Sequence, residues 1–337
     1  MLVDTMPCFE AAGRQCGDAI SSKWSVARRH GLSWPRAHQA SRLGRIAVLM
    51  GTMETAADAV GLRAMLDRLK TLGWSEGATA RIDIRWSRSD PVLMRENALV
   101  LLALSPDVIL CHSNPALAQL RPLAGNTPIV FVMVADPVGS GFVDNLAHPG
   151  GNITGFTNFE PSMGAKWVEI LKEIVPNIEN ICILMHPETN AYQAFWREAA
   201  AAARALRIEP HAAGIQTAEE IEQAVATAAA QPSGGLVVLR HTVTEIHRDL
   251  IIALAARWGL PSMHAFRTHP MAGALASYGV DVADHFRPAA DYIDRILKGE
   301  RPVDLPVRAP TKFELVINLK NCQGARIDDP ASTACHR

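Results

Sequence analysis

Four short strand-like stretches stand in the chain's first half, the first three each followed by a longer amphipathic stretch, and that alternation limits the folds open to it. Residues 45–50 (RIAVLM), 107–111 (DVILC) and 129–132 (IVFV) are the kind of apolar run that marks a strand buried on both faces. Residues 81–86 alternate instead, with Ile82, Ile84 and Trp86 on one face. A helix is expected from about Ala57, because Leu62, Met65, Leu66, Leu69 and Leu72 fall on one stripe, and Gly73 stops it. Asp90-Pro91 starts the next helix with a capping acid and a proline in the first turn, and that helix reaches Leu104. A third opens at residues 112–115 (HSNP), with Asn114 as its cap. Strands and helices in strict alternation give a parallel, doubly wound sheet.

From Ser162 the pattern restarts. Strands are expected at 180–185, 208–213, 235–239, 261–264 and 274–278, with helices at 190–206, 217–230 and 244–258 between them. Thr217 and Glu220 have the spacing of a capping box. A helix over 281–297 turns Phe286, Ala290, Ile293 and Leu297 inward, and a proline-rich connector leads to a last strand at 313–319. A chain of 337 residues exceeds one ordinary core and suits two α/β lobes of roughly 100–200 residues each.

Composition excludes several classes of function. The formal net charge is -1 and there is no block of Lys and Arg, so no groove for nucleic acid is expected. No apolar run approaches the roughly 20 residues that span a bilayer. The six cysteines are scattered without metal-ligand spacing, no cofactor is implied, and no G-x-S-x-G, Walker or G-x-G-x-x-G motif occurs. Residues 1–44 lack periodicity and lack the apolar core of an export signal. They read as a degraded or misframed leader or as a native disordered extension. Residues 321–337 form a second irregular segment.

Two parallel α/β lobes place a ligand between them, outside the carboxyl ends of the strands. Ser113 and Asn114 open a helix there and either cap it or receive an anion. Asp136 follows the buried run at 129–132 and is held by Pro137; it either caps the next helix or pairs with a ligand ammonium. An anion site beside a carboxylate complements a zwitterion. In the second half Asn158, Asn190, Arg240, His241 and Tyr278 lie at strand ends or just after them, and Thr52 follows the first strand. Tyr278 and Phe266 are candidates to flank an apolar side chain. Hinge bending is expected around residues 155–158 and near Tyr278.

One stretch carries a family resemblance. Asp136-Pro137-Val138, Gly141-Phe142-Val143, Leu146-Ala147, Pro149-Gly150-Gly151-Asn152 and Thr154-Gly155 resemble the ABC-transporter substrate-binding proteins of the tryptophan/tyrosine type. Residues 292–299 (YIDRILKG), 304–307 (DLPV) and 310–320 (PTKFELVINLK) are similar to the C-terminal part of that family. The resemblance covers about residues 45–320. It implies a type I periplasmic binding protein: a first lobe over 45–155, completed by about 280–320, and a second over 156–279. It also implies a small solute held between the lobes, an ABC permease as partner, a monomer, a periplasmic location and no catalysis. Two alternatives share the architecture. A cofactor-independent amino-acid racemase needs a thiol on each face of the cleft; Cys111 stands at a strand end, but Cys182 reads as core. An effector-sensing domain of a regulator needs an attached DNA-binding module or membrane helix.

Overall fold

The computed structural model describes residues 43–322, so the expectations for 1–44 and 321–337 fall almost wholly outside the described residues. The first half builds β1 (Gly44–Met50), α1 (Ala56–Thr71), β2 (Ala80–Trp86), α2 (Pro91–Ala103), β3 (Val108–His112), α3 (Asn114–Leu120), β4 (Ile129–Val134) and β5 (Ile153–Thr157). These five strands pair in the order β2-β1-β3-β4-β5, all parallel. The apolar runs of β3 and β4 are buried along their whole length, as strands covered by helices on both faces must be. Asp90 caps α2 by accepting from the backbone N–H of Val92 and Leu93.

The chain then makes α4 (Met163–Ile174), β6 (Asn180–Met185), α5 (Asn190–Ala205), β7 (Glu209–Gly214), α6 (Ala218–Ala229) and β8 (Gly234–Val238). After these come α7 (Thr242–Ile246), α8 (Arg248–Trp258), β9 (Ser262–His264), α9 (Thr268–Ala272) and β10 (Ala276–Gly279). It closes with α10 (Val282–Leu297), a 3-10 turn at Pro302–Asp304, β11 (Glu314–Ile317) and α11 (Leu319–Cys322). The second sheet runs β11-β10-β9-β8-β6-β7 and is parallel except for β11. The capping box at Thr217 and Glu220 forms.

Two expectations need correction. The helix expected over 244–258 is two helices broken at His247, because the first turn is fixed separately. His241 accepts from the N–H of Val243, and the hydroxyl of Thr244 turns back to the carbonyls of Leu239 and His241. The strand at 313–319 does not complete the first lobe: β11 pairs antiparallel with β10 in the second sheet. What returns to the first lobe is α10, which packs on α1. Phe286, Ala289, Ala290 and Ile293 are buried there, Arg68 pairs with Asp291 at 2.7 Å, and Trp74 Nε1 donates to Asp294 at 2.9 Å. Arg308 then bridges to Phe156 beside β5 before the chain leaves for β11. Three strands of chain therefore connect the lobes: after β5, between β10 and α10, and after Arg308. Among the described residues no helix is long and apolar enough to cross a membrane.

Candidate functional site

The first-lobe wall of the cleft is made where β3 and β4 end. Directly after β3, Ser113 holds φ 84 and ψ 154, a conformation that costs a non-glycine residue of order 1–3 kcal/mol and persists only where surroundings enforce it. Gly51 supplies part of that enforcement, since a Cβ there would run into the Ser113 hydroxyl and the His112 carbonyl. The Ser113 Oγ is buried without a hydrogen-bond partner. Asn114 does not cap α3. Its amide braces the end of β4, donating to the Ala135 carbonyl at 2.7 Å and accepting from the Ala135 N–H at 2.8 Å. β4 itself shifts register between Val132 and Val134, with Met133 at φ 57.

The second-lobe wall is aromatic. Trp167 from α4 lies parallel to Phe195 from α5 at 6.0 Å and meets Phe159 edge-on at 5.4 Å. The Trp167 indole N–H donates to the Tyr278 carbonyl at 2.7 Å, which satisfies the one polar atom of a ring only 2% exposed. Tyr192, one turn before Phe195, donates its hydroxyl to the Arg240 carbonyl. His241 stacks on His186 at 4.1 Å and stands edge-on to Tyr192.

Arg240 crosses from one wall to the other. It leaves the end of β8, passes over the Phe266 ring at 5.5 Å, and donates to His112 Nε2 at 3.2 Å and to the Met133 carbonyl at 3.4 Å. Its Nε is buried and unpartnered. Beneath it lies Asp58 of α1, which accepts from the hydroxyls of Thr52 at 2.7 Å and Thr55 at 3.0 Å and stands 3.4 Å from His112 Nε2. Burial alone would push the Asp58 carboxyl up; His112, Arg240 and the two hydroxyls outweigh it and hold it below the ordinary carboxylate range. Burial pushes His112 down to about 4, with Arg240 adding to the depression and Asp58 opposing it. The imidazole is therefore neutral near pH 7, and its Nε2 must accept because the guanidinium can only donate. The space left between the walls admits the centres of water-sized molecules over about 20 Å³, roughly one water.

The structure brings Ser113, Asn114, Asn158, Arg240 and His241 together around this cleft. Asn158 sits at the lobe crossing and accepts from the Phe159 N–H through its own Oδ1. Thr52 stays behind the wall on Asp58. Asp136 is not among the lining residues: its Oδ1 accepts from the Gly139 N–H, closing its own turn, and Gly139 is a glycine because a Cβ would strike that carboxylate. Tyr278 stacks on Phe313 at 5.6 Å, away from the lining, while Phe266 lies under Arg240. Asn190 opens α5, and its side chain lies outside what is described. Cys111 and Cys182 are both buried in sheet cores rather than in the cleft; burial holds the Cys111 thiol well above its ordinary range and pushes Cys182 up to about 12. Among the described residues no group of three or more His, Cys, Asp or Glu could hold a metal ion.

Sequence reasoning missed Asp58, His112 as an acceptor, and the aromatic wall. Trp167, Tyr192 and Phe195 did carry a signal, large rings on the faces of α4 and α5 that begin at strand ends. Asp58 carried only its place in the first turn of α1.

Residues 46–332 match the model of the ABC transporter substrate binding protein family. The chain belongs to that family. It is 22% identical over 262 residues to a tyrosine-binding protein of Clostridioides difficile, covering 76% of this chain and 73% of the relative. A conserved domain protein from Vibrio cholerae has the same fold with a TM-score of 0.80, at 26% identity over 86% of this chain and 97% of that one. An ABC domain from Streptococcus pneumonia, solved in complex with L-Trp, follows at a TM-score of 0.78 and 22% identity, covering 84% and 95%. The family makes this chain the solute-binding component of an ABC transport system.

Proposed function

We propose that the cleft takes an aromatic, amino-acid-like solute and that the protein delivers it to an ABC permease for import. The observation that carries this reading is the second-lobe wall, where Phe159, Trp167, Tyr192 and Phe195 offer ring faces and edges opposite a polar first-lobe wall. Aromatic pairs of this kind contribute about 0.5–1.5 kcal/mol beyond the area they bury. The tyrosine-binding relative and the L-Trp complex support it. With only about one water's room between the walls, the solute enters when the lobes part. The protein acts as a monomer on the outer side of the membrane and carries out no covalent chemistry. The two buried, protonated thiols favour that over a racemase, which needs a thiolate at each face.

A thermal-shift screen of aromatic amino acids and related solutes tests the reading. A true ligand at a hundredfold excess over its dissociation constant adds about 2.7 kcal/mol of stability. Racemisation or hydrolysis of a hit would refute it.

A further inference from the structure

The cleft offers a partner for one charge and not for the other. Among the described residues that line it there is no aspartate or glutamate, and the one permanently charged side chain is Arg240. No nearby carboxylate lines the cleft. Asp58 accepts from the hydroxyls of Thr52 and Thr55 beneath Arg240, Asp136 closes its own turn, and Glu245 stands 3.3 Å from His269 with its Oε1 buried and without a hydrogen-bond partner. An ammonium group in the cleft would have carbonyls to meet but no anion.

For a carboxylate the opposite holds. The Arg240 guanidinium spends its hydrogen bonds on neutral acceptors, the His112 ring and a Met133 carbonyl at 3.4 Å, and its Nε–H is buried with nothing to bond. In the same cleft the Ser113 hydroxyl, on a residue 1% exposed, is also buried without a partner. Such orphaned polar atoms are rare in folded proteins and ask for an explanation. A planar carboxylate accepts from guanidinium N–H groups and from a hydroxyl, and it replaces neutral acceptors with charge-assisted bonds about twice as strong.

We propose that this protein recognises its solute as an aromatic carboxylate, through Arg240, Ser113 and the aromatic wall, and does not read an α-ammonium group. Arylpropionates and arylacetates then belong to its ligand class alongside the aromatic amino acids. The inference rests on the reading of the cleft as an aromatic-solute site.

Calorimetric titration of the purified full chain with three matched probes tests it: L-tryptophan, indole-3-propionate, which lacks the ammonium, and L-tryptophanamide, which lacks the carboxylate. The tyrosine series, with 4-hydroxyphenylpropionate, repeats the comparison. Indole-3-propionate is expected to bind at least as tightly as tryptophan, and the amide at least about tenfold more weakly than either. Arg240→Gln should weaken both acids about tenfold or more, with partial recovery in Arg240→Lys, which keeps the charge and loses the fork. If Arg240→Gln fails to fold, Ser113→Ala gives the second readout, with a smaller loss confined to the acids. An amino acid that binds tenfold tighter than its desamino analogue overturns the proposal and leaves the aromatic reading standing. Silence from every aromatic probe overturns both.

Discussion

Acidification from about pH 7.5 to about pH 5 should destabilise the folded protein before its carboxylates titrate, because buried histidines, among them His112, His241, His264 and His285, are held neutral. Burial pushes His112 and His285 down to about 4 and His241 down to about 3, and the positive charge of Arg240 adds to each depression. In the unfolded chain an imidazole titrates near 6.5. Above that value it is neutral in both states and pH has no effect. Between about 6.5 and 4 the unfolded chain takes up protons that the native protein refuses, so stability falls with pH, and below about 4 the loss levels off. At pH 5 each of these three then costs about 2 kcal/mol, so together they remove about 6 kcal/mol, a large share of a typical 5–15 kcal/mol, and His264, fully buried and held well below its ordinary value, adds to the loss. Asp58 and Glu245, both held below the ordinary carboxylate range, subtract stability only at still lower pH.

His285 isolates the effect. Its Nε2 stands 3.1 Å from the Phe156 carbonyl, so it donates there, and the ring meets Phe156 edge-on at 6.4 Å. Glutamine keeps an N–H for that carbonyl and cannot titrate. Urea unfolding of wild type and His285→Gln at both pH values should show the variant losing about 2 kcal/mol less on acidification, whatever its stability at pH 7.5. A wild-type loss below about 1 kcal/mol, or equal losses in the two proteins, would refute the argument that these imidazoles are held neutral by burial.

Other consequences are quickly checked. Small-angle scattering at increasing concentrations of a confirmed ligand should show lobe closure as a smaller radius of gyration, and an unchanged profile at saturation would count against hinge bending through three connections. Asp136→Asn should leave ligand affinity within about twofold and stability within about 1 kcal/mol, because asparagine serves the Gly139 N–H about as well; a large loss by calorimetry would return Asp136 to the site. Trp167→Ala should cost about 3–5 kcal/mol in denaturant unfolding, from the cavity left against Phe159 and Phe195. Cys111 and Cys182 should resist thiol reagents until urea unfolds the chain, and prompt labelling of the native protein would contradict their burial.

The sheets were legible because their strands are written as apolar runs, and a run such as that of β4 has few other places to go. Features that depend on the second lobe meeting the first were not. β11 has the same composition whether it closes one sheet or the other, and only its antiparallel register with β10 decides. Asn114 reads as a cap in sequence, since asparagine before proline at a helix start is a capping pattern; that its amide reaches Ala135 depends on a turn 21 residues away. Asp136 drew attention as a carboxylate at a strand end, yet a short side chain finds its nearest N–H donor in its own turn. Arg240 was legible as a residue after a buried strand, but not as one that spans the cleft.

That span explains why so many titratable groups gather at one lobe contact. A guanidinium taken out of water carries a penalty of several kcal/mol, and neutral acceptors such as the His112 ring and the Met133 carbonyl recover only part of it. Asp58 on the first lobe and Glu245 on the second add attraction at longer range: against their burial, His112 leads the lowering of the Asp58 carboxyl and His269 that of Glu245, and the Arg240 charge adds to each. His112 has to stay neutral for this to work, because a protonated ring would offer Arg240 a repelling charge in place of a lone pair and would compete with it for Asp58. The contact leaves the Arg240 Nε and the Ser113 hydroxyl buried without partners, so a carboxylate-bearing solute that enters when the lobes part would meet donors that the closed walls do not use.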